Sequence, residues 1–416
     1  MPARLQISHL FNVRSSKRVL KSQWQKAGVP FFRGREISTL SKTGCVDNEL
    51  FISEELYLEF TSKYGVPKTG DIVITAIGTI GNSYIVKDSD RFYFKDASVL
   101  WLEKKADVDS RFIDLWFKSS NMWNQLDHGK GATVDTLTIS KLVSLKIDLP
   151  PLPEQNRIVA LLDSAFADID KARANAEQNL ENARELFESF LSQTFSASGP
   201  SAKNTNLGNE INLLTGFAFK SPEYSKSKSD TPLIRGDNII QGKLRWDDAK
   251  YWPSDKVSDY EKYFLDENDI VLAMDRTWVK SGIKYAKISP ADLPCLLVQR
   301  VARLRCKSGI LHDYLYYLIG SKKFEAYVLS IQTGLGVPHI SGKQIQAFTF
   351  NLPSLEAQAE AVGQFSNIHK LTTDLISIYE SKISNLDELK KSLLQKAFTG
   401  QLSASTAKTA TDGQAA

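Results

Sequence analysis

From Ile158 onward, apolar residues return every third or fourth position without interruption. Ile158, Leu162, Ala165, Ile169, Ala172, Ala176, Asn179, Ala183, Leu186 and Phe190 trace one face, and neither proline nor glycine occurs between Pro153 and Gly199. Steps of three and four sustained over about five heptads are the signature of an α-helix with an a/d seam. Proline suits a first helical turn and Glu154 faces the positive end of the helix dipole. Moving 203 positions along the chain gives a second seam: Ala361, Phe365, Ile368, Thr372, Leu375, Tyr379, Lys382, Leu386, Leu389 and Leu393, with Gly400 as the stop. Each helix of about 43 residues would span about 65 Å. Two seams in one chain invite pairing, and a duplicated unit closes most simply about a pseudo-twofold axis, which makes the helices antiparallel. Full overlap pairs residues whose numbers total 551. Asn179 then meets Thr372, and Lys382 opposes Ile169.

The stretches before each helix show a different period. GDIVITAIGTIGNSYIV at 70–86, DIVLAM at 269–274 and PCLLVQRVARLRC at 294–306 are β-branched and read as strands with turns at Gly78 and Gly81. RFIDLWFKS at 111–119 and LHDYLYYLIGSKKFEAYVLS at 311–330 read as helices. The same sequences also repeat. LPPLPEQ at 149–155 returns as LPSLEAQ at 352–358, VPFFRGREI at 29–37 as TPLIRGDNI at 231–239, and GDIVIT at 70–75 as NDIVLA at 268–273, with offsets of 203, 202 and 198. Drifting offsets indicate loop insertions within a duplicated domain. The expected fold is mixed α/β: two duplicated globular domains separated by two long antiparallel coiled-coil helices. The expected layout is a first domain at 1–150, a helix at 151–197, a second domain at 198–353, a helix at 354–400 and a disordered tail at 401–416. The Ser/Gly/Pro/Lys stretch at 196–206 reads as a linker.

Charge follows this division. Residues 1–153 carry 21 Lys+Arg against 17 Asp+Glu, and residues 197–355 carry 21 against 16. The helical segments are acidic or near neutral, with 4 against 8 at 154–196 and 5 against 6 at 356–400. Cys45, Cys295 and Cys306 form no CxxC pair, which suggests reduced thiols and a cytoplasmic location. No apolar run is long enough for a membrane span or a signal peptide.

Catalytic arrangements do not emerge. His9, His128, His312, His339 and His369 are scattered, and HGKGAT at 128–133 lacks the spacing of a phosphate loop. Asp71 and Asp269 read as strand starts rather than a catalytic pair. Nothing in the sequence calls for a metal or cofactor, and the expectation is a chain that is not itself an enzyme.

GFAFKSPEY at 216–224, IRGDNI at 234–239, DIVLAM, TGLGVPHISGKQI at 333–345, LPSLEAQ and LLQKAFTGQL at 393–402 occur in an order that resembles the specificity subunit of type I restriction-modification enzymes. The resemblance covers both halves and is stronger in the second. It implies two target-recognition domains, each reading half of a split site in double-stranded DNA. It also implies helices that dock two copies of a DNA methyltransferase subunit, through which restriction (translocase) subunits join. An alternative reading is a non-catalytic coiled-coil scaffold with no DNA role.

Such domains need phosphate contacts for affinity and base-edge contacts for sequence. The candidates are cationic or amide side chains expected on loops. They are Arg33, Arg35, Thr79, Asn82, Lys130 and Thr133 in the first copy, and Lys220, Arg235, Asn238, Arg276, Lys280 and Thr333 in the second. Gly34, Gly78, Gly131, Gly236, Gly334 and Gly336 would permit close backbone approach. The repeated Arg-Gly pair serves equally well as a turn that only shapes the backbone.

Overall fold

The computed structural model describes residues 3–126, 136–196, 202–333 and 337–402. The chain forms two compact units, residues 1–175 with 382–416, and residues 176–381. In the first, a four-stranded antiparallel sheet runs in the order Phe11–Arg14, Val99–Lys104, Ile72–Thr75, Ser83–Ile85. A smaller sheet holds Val29–Phe32 between Phe51–Ile52 and Tyr93–Phe94. In the second, a five-stranded sheet is ordered Ile211–Thr215, Val301–Cys306, Ile270–Ala273, Tyr285–Lys287, Gln241–Gly242, with a three-stranded sheet around Thr231–Ile234. Apart from the added edge strand Gln241–Gly242, these strands correspond at offsets of 198 to 203, so the repeat seen in the sequence is a repeat of structure.

The central strand of each unit carries no polar alternation because both its faces are covered. Ile72 and Ile74 join the core that includes Phe112, Ile158 and Leu162, whereas Val73 faces Phe32, Ile37 and Trp101. Ile270 and Leu272 likewise meet Leu315, Leu318 and Phe365, while Val271 and Ala273 meet Ile234 and Leu297. Part of the expected linker proves to be structural. Lys203–Asn206 is a strand paired with Thr349–Leu352, matching the pairing of Ala3–Gln6 with Lys146–Leu149. Its Lys-Asn-Thr-Asn sequence hid this, since a two-stranded ribbon at the surface needs no apolar face. Residues 197–201 and the tail from 403 lie outside the described residues.

The long helices span Leu152–Ser196 and Leu355–Phe398. Within the first unit they run antiparallel, with Lys390 on Asp170 at 2.8 Å and Arg173 on Asp387 at 3.0 Å. Within the second, Arg184 reaches Glu380 and the ring of Phe187 meets His369 at 5.0 Å. The expected register is corrected: these pairs total 556 to 564 rather than 551. Asn179 is exposed, so it does not face Thr372, which is buried and bonded to its own helix. The seams shift as well. Leu180 and Phe187 are more covered than Asn179 and Leu186, and Ile376 and Ile383 replace Leu375 and Lys382. An α-helix turns in 3.6 residues, so a strict heptad drifts around the helix unless the pair supercoils. The drift leaves Lys382 in solvent and removes the misfit it would have made.

The repeated LPxLxxQ motif now has a physical reason. Gln155 and Gln358 are buried, and each ties the start of a long helix to the globular part of its unit. Gln155 accepts from the backbone N–H of Asp109 at 2.9 Å and donates to the carbonyl of Pro150. Gln358 accepts from the N–H of Leu311 at 2.9 Å and donates to the carbonyls of Gly309 and Pro353. Truncation strands these buried groups, at about 1–3 kcal/mol for an unpaired donor. Gln358→Ala is therefore expected to lower the unfolding midpoint by about 4–8 °C. A midpoint within one degree of wild type in calorimetry would show that water replaces the amide.

Candidate nucleic-acid interface

In each unit a groove opens at the end of the central strand, beside the Arg-Gly turn. The backbone framework is common to both. Ala76 donates to the carbonyl of Ser98 and accepts from Leu137, and Met274 donates to that of Arg300 and accepts from Ile340. Ile77 bridges Thr136, and Asp275 bridges His339.

The Arg-Gly turn is shaped from within. In the first unit the Arg33 N–H donates to Glu36 at 2.8 Å, and the Arg33 guanidinium lies on the same carboxylate at 2.7 Å. Burial pushes the Glu36 carboxyl up, but the hydrogen bonds from Arg33 outweigh it and leave the group below the ordinary carboxylate range. In the second unit Asn238 stands where Glu36 does, and its amide oxygen accepts from the Arg235 N–H at 3.2 Å. Asn238, expected as a DNA contact, is corrected on this ground. It is buried, and its nitrogen is committed to the carbonyl of Arg245.

The first groove, about 510 Å³, is lined by Arg33, Arg35, Thr79, Lys42 and Lys95, with Ile77 exposed among them. Arg35 pairs with Glu49 and Glu36, and the hydrogen bonds it donates to these carboxylates raise its pKa. Ser38 links Thr79 at 2.9 Å and Asn82 at 3.0 Å, so the structure brings both of these candidates together at the groove edge. Lys130, Thr133 and Gly131 lie outside the described residues.

The second groove is about 350 Å³ and is lined by Arg235, Asp237, Arg276, Lys284 and Arg300, among others. Lys220 precedes Ser221 on its wall, and Lys280 is exposed in the turn between Trp278–Val279 and Gly282–Ile283. Thr333 pairs with His339, the residue bridged to Asp275, while Gly334 and Gly336 lie outside the described residues. The sequence reading missed Lys284 and Arg300. The repeat held the signal: Thr75 donates to the carbonyl of Asn82 and Ala273 to that of Lys284, so Lys284 is the counterpart of Asn82.

Elsewhere, Asp71 accepts from Trp101 and from the N–H groups of Lys68 and Lys104, and Asp269 accepts from Arg305 and the Asp266 N–H. Both are buried strand starts. Among the described residues no cluster of metal-ligating side chains occurs, and no helix is long and apolar enough to cross a membrane.

The family model for the type I restriction modification DNA specificity domain matches residues 4–180 and again 210–384. The chain belongs to this family. The specificity subunit of type I restriction enzyme EcoAI from Escherichia coli is 37% identical over 164 residues, 39% of this chain and 27% of that one. The chain thus spans about a quarter of that relative. The MjaVIII specificity subunit from Methanocaldococcus jannaschii is 25% identical over 366 residues, covering 83% of this chain and 82% of its own. A solved chain from a study of complex assembly and conformational transition of the type I R-M system covers 95% of this chain and 97% of its own. Its TM-score is 0.75 at 17% identity, which shows a shared fold.

Proposed function

We propose that this family member is the DNA sequence-recognition subunit of a type I restriction-modification complex and acts in the cytoplasm. Residues 1–150 and 198–353 are its two recognition domains, each reading one half of a split site. The helices at 151–197 and 354–400 separate them, and 401–416 is a tail. The chain performs no chemistry. Two methyltransferase subunits dock on its helices, and restriction (translocase) subunits join through them.

The observation that carries this reading is the recurrence of one cation-lined groove, on one backbone framework, in both members of a duplicated pair. Lysine and arginine there answer the phosphate backbone, and the exposed donors answer base edges. A scaffold without DNA would have no use for the groove twice. The helices supply the docking face. Leu371 and Ile378 are 62% and 58% exposed, with Leu375 between them on the same stripe.

The purified chain with its modification subunit is expected to bind DNA with an affinity that falls as salt rises. Six neutralised phosphates would cost about a thousandfold between 50 and 200 mM. The chain alone is expected to transfer no methyl group, and the pair to methylate a split sequence. Methyl transfer by the chain alone, or DNA binding insensitive to salt, would end the reading.

A further inference from the structure

The duplication provides an internal control for deciding which groove residues the fold requires. Gly78 and Arg276 occupy the same place, one residue after the bridges Ile77–Thr136 and Asp275–His339. Both are left-handed, with φ of 82° and 45°. Glycine takes this conformation freely, whereas an arginine there is strained. The second unit nevertheless holds Arg276 in it. Its N–H donates to the carbonyl of Pro338 at 2.7 Å, and the neighbouring Asp275 carboxylate is clamped by His339 Nδ1 at 2.6 Å. The backbone is thus over-determined around a side chain that the fold does not need. Strain kept in this way marks a place where a side chain serves a ligand.

The surroundings identify the ligand chemistry. The Arg276 side chain is exposed and has no ion pair among the described residues. Lys284 lines the same groove, half-buried and likewise without an ion pair among the described residues. Burial lowers its pKa, Asp237 opposes this, and the nearby Arg276 and Arg245 add to the lowering. In the first unit the same two positions hold Gly78 and Asn82, and the asparagine amide donates to Ser38. The second groove therefore presents a rigidly based guanidinium fork next to an unpaired ammonium. That combination suits two adjacent acceptors in one plane. In the major groove of DNA such a pair is O6 and N7 of guanine.

We propose that Arg276, with Lys284 beside it, reads a guanine in the half-site bound by the second unit. This rests on the DNA-recognition reading above, and the test separates the two. The full chain is expressed with its cognate modification subunit as wild type, R276G, R276K and K284M. Methylated sites are mapped across the host genome, and unfolding midpoints are measured on the purified proteins. R276G is expected to keep the first half-sequence. At one G·C pair of the second half-sequence it should lose about tenfold to hundredfold discrimination. Its midpoint should stay level or rise by up to about 4 °C, because glycine relieves the strained backbone. R276K keeps the charge without the fork and is expected to relax the same position less. K284M is expected to relax the same position or its neighbour.

An unchanged motif in R276G would overturn the assignment. Uniform weakening at all sequences would also overturn it, since that is the behaviour of a phosphate contact. So would a change in the first half-sequence, or a midpoint lower by more than about 4 °C, which is the behaviour of a structural residue. A wild-type complex that marks no split sequence would overturn the recognition reading, and this assignment with it.

Discussion

Replacing residues 1–148 with the matching domain of a relative should change one half of the methylated sequence and leave the other intact. The first unit holds its own core, built on Ile72, Ile74, Phe112 and Trp116, and its own groove. The exchanged segment begins and ends on one ribbon, Ala3–Gln6 against Lys146–Leu149, so a foreign domain brings most of both strands with it. The bolt to the long helix makes few demands on the newcomer's sequence. Gln155 bonds the backbone N–H of Asp109, a group every non-proline residue provides. The side-chain contacts that must be matched include the ion pair of Arg111 with Asp163 at 2.7 Å and apolar ones such as Phe112 on Phe398, with ring centroids 5.1 Å apart. Hydrophobic swaps of similar volume there usually cost below about 1.5 kcal/mol. Genome-wide methylation mapping checks the result. If both halves of the motif change together, the two grooves do not read independently.

Assembly should collapse when a charge is placed on the exposed stripe of the second helix. Leu371, Leu375 and Ile378 follow the i, i+4, i+7 spacing that puts residues on one helix face, about 100° around the helix from the buried Phe365 and Thr372. On an unpartnered helix this face would favour polar residues. Leu371→Glu and Ile378→Glu leave the fold intact, because both side chains are exposed and glutamate is a good helix former. Against a docked methyltransferase subunit, each forces a carboxylate out of water, at about 3 kcal/mol or more. That is more than a hundredfold in association. Co-purification with the modification subunit and methylation in cells should both be lost, with the unfolding midpoint unchanged. Normal assembly of the double variant would move the docking surface elsewhere.

The two structural glutamines were visible in the sequence as repeats without their role, the Arg-Gly pairs stood open between a DNA contact and a turn, and Asp71 and Asp269 already read as the strand starts they are. Gln155 and Gln358 recur at the offset of the motif, yet only the folded chain brings Asp109 and Leu311 to them. Glu36 and Asn238 show why residue identity is a poor guide at such places. A carboxylate and an amide perform one task, accepting the N–H of the arginine three residues back in the turn. Asn238 drew attention as a surface amide for that reason, while Lys284, in a strand-edge position with no motif around it, drew none.

What the sequence determined by itself was whatever repeats over short distances or by duplication. The long helices follow from the 3.6-residue period and the absence of proline and glycine between Pro153 and Gly199. The buried strands follow from runs such as Ile72–Thr75 and Ile270–Ala273, and the two-copy architecture from offsets of 198 to 203. Tertiary structure alone decided the pairings between distant residues. The register of the helices depends on which of several overlapping apolar stripes packs best against the partner, a choice with no local signature. Ala3–Gln6 and Lys203–Asn206 are strands because each finds a partner nearly 150 residues away, not because of their composition. Arg276 and Lys284 come together for the same reason: the groove they line also takes in the turn at Arg235–Asp237 and the segment at Val298–Arg300, which meet only when the sheet is assembled.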